Sequence, residues 1–173
     1  MTSSTERTST ERISTDSAAA VSSSTDRIER SIQINAPRAR VWRAISNAED
    51  FGNWFGANLQ GQTMAPGQRV KGPITIKGYE HVVFDIVVER VEPENLLAFC
   101  WHPYAVDPKI DYSKEQRALV TFELEDAGGG TLLNVVESGF DSVPPSRRME
   151  AFRMNSGGWE AQLKNIAGFA ERG

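Results

Sequence analysis

His102-Pro103-Tyr104-Ala105-Val106-Asp107-Pro108, followed by Asp111-Tyr112-Ser113, gathers a histidine, two tyrosines and two aspartates into one connection. At about a dozen residues, a connection of this length often carries function. A His–Asp or Tyr–Asp pair here can orient a polar ligand group or move a proton, which makes His102 and Tyr104 candidates for chemistry. Tyr and Pro are equally ordinary packing residues of loops, so the same segment can fold as a lid over a cavity mouth. Glu137 is the third candidate. Leu133 and Val135 alternate on one face of a strand, and continuing that series places Glu137 inward, near the strand end. A carboxylate among aromatic rings has a raised pKa and can act as acid, base or ligand anchor. The commoner role for such a glutamate is structural, here an ion pair with Arg147 or Arg153. Cys100 alternates with Phe99 and Trp101, so it faces away from them, and no basic partner at a recognisable spacing marks it as a nucleophile.

Other chemistries lack their residues. His81, His102 and Cys100 are too few for a structural zinc site, and no disulfide can form from one cysteine. There is no Gly-rich phosphate loop of either common type, no Gly-x-Ser-x-Gly and no His-Glu-x-x-His. No cofactor is therefore expected. The net charge of −4 argues against a nucleic-acid surface. No apolar run approaches the length of a membrane span, and no apolar leader opens the chain, so a cytoplasmic protein is expected.

The elements that must position these residues follow from periodicity. Ile28 to Ile34 alternates as a half-buried strand. Asn35-Ala36-Pro37 opens a helix, with Pro37 in its first turn and Val41, Trp42 and Ile45 on its apolar face. Phe51, Trp54 and Phe55 belong to a second short helix ending at Gly56. An antiparallel meander follows: Val70–Lys77, with Pro73 marking an edge or bulge, then Glu80–Val91 and Leu96–Trp101. A hairpin of Gln116–Glu125 and Thr131–Ser138 turns through Ala127-Gly128-Gly129-Gly130. From Met149 to Ala170 runs a long amphipathic helix whose stripe is Met149, Phe152, Ser156, Trp159, Leu163, Ile166 and Ala170. Gly157-Gly158 interrupts it at a cost of about 2 kcal/mol relative to two alanines. The expected reason is space, a close approach of another backbone or a bound molecule to the helix beside Trp159. This order indicates an α+β domain with a helix laid over a sheet and a cavity between them. Residues 1–26 are Ser/Thr-rich, with Ile13 and Val21 as their only large apolar residues besides the initiator. They are expected to form a disordered tail ahead of a domain spanning 27–173.

Several segments, in order, carry a family likeness. Asn35-Ala36-Pro37-x-x-x-Val41-Trp42 resembles the opening of the START/Bet v-like superfamily of helix-grip proteins. Trp54-Phe55-Gly56, Pro93-x-x-x-Leu97-x-Phe99-x-Trp101, Gly130-Thr131-x-Leu133-x-Val135-x-Glu137-Ser138-Gly139-Phe140 and Gly158-Trp159-x-x-x-Leu163-x-x-Ile166 resemble its branch named for the activator of the ninety-kilodalton heat-shock protein ATPase. The resemblance implies a curved antiparallel sheet gripping the C-terminal helix around an apolar cavity. It implies no single activity, since relatives include lipid carriers, hormone receptors, aromatase/cyclases and co-chaperone domains.

The expected function is non-catalytic binding of a small, largely apolar or aromatic molecule in that cavity. Its expected contacts are Phe84, Phe99, Trp101, Tyr104, Phe122, Glu137, Phe140, Met149, Phe152, Gly157 and Trp159. Two alternatives stand beside it. One is a cyclase, dehydratase or hydrolase using Glu137 with His102 or Tyr104, which requires their polar atoms to converge on one substrate position. The other is a module that stimulates a chaperone ATPase, with a chaperone or a second copy of the chain as partner.

Overall fold

The computed structural model describes residues 24–173. Most of the expected tail lies outside the described residues. The first strand is β1 (Arg27–Ile34), whose alternating Ile28, Ile32 and Ile34 turn towards the core. Just before it, the Asp26 carbonyl accepts the Gly139 and Phe140 amides and its Oδ1 accepts the Asp141 amide at 2.9 Å. Pro37 sits one residue outside helix α1 (Arg38–Ser46) rather than in its first turn, and its carbonyl accepts the first helical amides from Arg40 and Val41. Asn47 caps α2 (Ala48–Phe55) through its side chain to the Asp50 amide, and Gly56 ends that helix at φ 97°.

The remaining strands are β2 (Arg69–Pro73), β3 (Val83–Glu92), β4 (Leu96–Trp101), β5 (Ala118–Ala127) and β6 (Gly130–Ser138). With β1 they form one antiparallel sheet in the order β1-β6-β5-β4-β3-β2. Pro73 ends the edge strand β2, shorter than the alternation suggested, because a residue without N–H cannot extend the ladder. β3 starts at Val83 rather than Glu80, since Tyr79 and Val82 close a turn ahead of it. The β5–β6 hairpin turns on Gly128 and Gly129, both at positive φ, as a two-residue hairpin turn requires.

A single 3-10 turn (Phe140–Ser142) leads into the long helix α3 (Pro145–Arg172), which packs on β1, α1 and α2. It begins four residues earlier than the apolar stripe suggested, with Pro145 at its first turn. The result is a curved antiparallel sheet with a long C-terminal helix laid over it, α+β in class. Among the described residues no helix is long and apolar enough to cross a membrane.

Two expectations for α3 are corrected. Met149 is half exposed, and Ala151 takes the buried position in that turn. There the helix packs on the 3-10 turn, through Phe152 against Phe140 at 5.4 Å, so its buried face is rotated relative to the sheet-facing stripe. Gly157 is exposed, and a Cβ on Gly157 or Gly158 would meet nothing within 4 Å. The close backbone approach lies elsewhere. A Cβ on Gly52 would collide with the Ala57 carbonyl oxygen, and one on Gly72 with that of Asn58, where the α2–β2 connection crosses the sheet edge.

Candidate functional site

β6 alternates strictly, with Thr131, Leu133, Val135 and Glu137 all turned inward. Glu137 is fully buried, as the parity of the strand demands. Its partners are neutral. The Trp101 indole N–H donates to Oε1 at 2.9 Å, the Trp159 indole to Oε2 at 2.6 Å, and Asn155 Nδ2 reaches both oxygens at 2.9 and 3.2 Å. The expected ion pair does not form: Arg147 is drawn to Glu115 at 2.5 Å and Arg153 stays exposed. Burial raises the Glu137 pKa, and the N–H donors from Trp159, Trp101 and Asn155 oppose that shift. Asn155 was legible in principle, since it lies one helical turn before Trp159 and shares its face.

The interior behind this carboxylate is ring-packed. Phe51 lies 6.0 Å from Phe99 and 6.5 Å from Phe122, and Trp159 lies 5.7 Å from both Trp101 and Phe122. An open pocket of about 610 Å³ lies instead at one end of the sheet, under the β4–β5 connection. Its apolar walls include Phe55, Ile74, Phe84 and Trp101, and its polar ones Arg69, Asp85, His102, Arg117 and Asn155. Tyr104, at φ 52°, holds the connection over this space, and burial raises its phenol pKa.

Of the residues expected at a site, Phe84, Trp101, Tyr104 and His102 line this pocket. Asn155 and Trp101 line it too and carry Glu137 on their inner side. Phe99 and Phe122, on β4 and β5, and Phe140, in the 3-10 turn, are wholly buried core and do not line the pocket. Trp159 serves Glu137, Phe152 packs on Phe140, and neither Met149 nor Gly157 reaches the pocket. His102 and Tyr104 make no hydrogen bond to Glu137, so the three candidates for chemistry do not converge. Arg69, Asp85 and Arg117 were missed. Arg69 and Asp85 lie on the strand face opposite the apolar one, and Arg117 lies just ahead of β5, yet all three line the pocket. Cys100 points to that opposite face too, donating to Glu89 at 3.3 Å, with burial raising its pKa. Among the described residues no group of three or more His, Cys, Asp or Glu side chains is placed to hold a metal ion.

A curved antiparallel sheet closed by a long C-terminal helix, with an end pocket behind an aromatic loop, defines a helix-grip protein. The chain belongs to the family described as Activator of Hsp90 ATPase homolog 1-like protein, whose model matches residues 35–171. Among solved structures it is similar to protein MLL2253 from Mesorhizobium loti, at 25% identity over 84% of this chain and 97% of that one, with a TM-score of 0.64. DynU16, from the dynemicin biosynthetic locus, is 24% identical over 84% of this chain, which spans 47% of DynU16, with a TM-score of 0.64. The Aha1 dimer from Colwellia psychrerythraea is 15% identical, covering 84% of this chain and 96% of that one at a TM-score of 0.62. At those identities the latter two show the fold alone. No protein of curated function matches the sequence significantly.

Proposed function

We propose that the protein binds a small, largely apolar molecule in the end pocket and performs no chemistry on it. The observation that carries this reading is the pocket of about 610 Å³, walled by Phe55, Ile74, Phe84 and Trp101 beside a few polar groups. That size and that mixture suit a small-molecule site. The state of Glu137 supports binding over catalysis. Both its oxygens are occupied by N–H donors, which gives the carboxylate a structural task, joining β4 and β6 to α3. Of the exposed apolar side chains, Ile76, Tyr79, Val83 and Met154 line the pocket and form its rim, while Leu119 and Met149 lie away from it.

Native mass spectrometry of protein purified from its host tests the proposal. A reproducible extra mass, released on denaturation, is the expected result. A bare chain mass together with no thermal shift across a panel of lipids and aromatic compounds would overturn it.

A further inference from the structure

The polar end of the pocket holds a guanidinium without an ion-pair partner among the described residues. Arg69 and Asp85 satisfy each other through two hydrogen bonds of 2.8 and 2.6 Å. Glu115 is likewise taken by Arg147. Arg117, on the same pocket wall, has no carboxylate within ion-pair distance among the described residues. Its Nη1 is shut off from solvent without a hydrogen-bond partner, and so is Nδ1 of His102. Buried nitrogens left unpaired are rare, because each forfeits its hydration for nothing. Arg117 acts on both neighbours. Its charge helps to lower the Asp85 pKa, and it adds to the burial that lowers that of His102, which is therefore neutral at pH 7. The wall thus presents one unpaired guanidinium and one neutral imidazole in a pocket that Phe84 and Trp101 also line.

We infer that the ligand is an amphipathic monocarboxylic acid. Its carboxylate pairs with Arg117 beside His102, and its apolar body lies against Phe55, Phe84 and Trp101. One unpaired guanidinium, with Asp107 also on the lining to repel a second negative charge, matches a monoanion better than a phosphate dianion, and a planar guanidinium matches a planar carboxylate. This assignment rests on the binding function proposed above and adds the class of ligand.

Isothermal titration of the full chain at pH 7.5 with decanoate and 2-naphthoate, each against its primary amide, tests it. The acid should bind about tenfold or more tightly than the amide of the same shape, as a charge-assisted pair predicts. In Arg117→Met the acid-to-amide ratio should collapse towards one, and in Arg117→Lys much of it should survive. Amides that bind wild type as tightly as acids would overturn the carboxylate assignment while leaving the binding function intact. That result is also the one expected if a buried water alone satisfies Arg117. An acid preference that persists in Arg117→Met would remove Arg117 as the partner. If none of the four compounds binds, the carboxylate assignment falls, and native mass spectrometry decides the binding function separately. Should Arg117→Met fail to fold, the acid–amide comparison on wild type still decides.

Discussion

At the scale of the residue, Glu137 is a buried acid held by three neutral N–H donors rather than by a cation. Glu137→Gln keeps the shape but turns one acceptor into an NH2 group facing an indole or amide N–H. One buried donor then loses its partner, which costs about 1–3 kcal/mol in urea denaturation. The same change alters the pH dependence. The folded pKa of Glu137 is raised above its ordinary 4.5, so the fold prefers the protonated acid. Its linkage contribution is fully present below about 4.5 and is lost as pH rises through the raised value. Wild type should therefore lose stability relative to Glu137→Gln between acid and neutral pH. Paired urea curves across that range check the sign, and a wild type that gains on the variant as pH rises would contradict it.

At the scale of the element, the glycines of α3 and those near the sheet edge separate two reasons for having no Cβ. Gly157 and Gly158 face open space, so only helix propensity acts on them. Replacing both by alanine should stabilise the protein by about 2 kcal/mol and leave ligand uptake unchanged. The denaturation midpoint reports this, and a loss of stability would restore the idea of a notch in the buried face. Gly72 in β2 is the opposite case. Its missing Cβ admits the Asn58 carbonyl oxygen, which belongs to a connection held there by the Asn58 amide bonding to Pro73. Gly72→Ala should cost about 1–3 kcal/mol through overpacking, since backbone rather than a flexible side chain must yield. A neutral outcome would mean that the α2–β2 connection shifts freely.

At the scale of the whole molecule, the end pocket is open while the space between α3 and the sheet is packed with rings. A ligand that binds only the folded state stabilises it by mass action, by about 2.7 kcal/mol at a hundred times its dissociation constant. For a domain of this length that corresponds to a rise in Tm of about 5–10 °C. Differential scanning fluorimetry with any compound found by native mass spectrometry should show a rise that grows with concentration. A tight binder that leaves Tm unmoved would place its site on the unfolded chain or on a detachable segment.

Alternation and helical periodicity determined most of the fold, because both are local properties that one face buried and one face wet imposes on any sequence. Strand β4 (Leu96–Trp101) begins and ends where its pattern does, and the inward turn of Glu137 follows from Leu133 and Val135 alone. The family likeness, carried by motifs scattered from Asn35 to Ile166, pointed to the same architecture. What Glu137 bonds to was beyond reach, since Trp101, Asn155 and Trp159 meet it only when β4, β6 and α3 are brought together. The site was legible in part. Phe84, Trp101, Tyr104 and His102 stood out by type and position, whereas Arg117, just ahead of β5 and out of step with its buried residues, reads as solvent-facing. Only the tertiary structure decided that Gly157 faces outward and that the open space lies at the sheet end. The direction of a helix face and the filling of an interior depend on what packs against them, and no single segment contains that information.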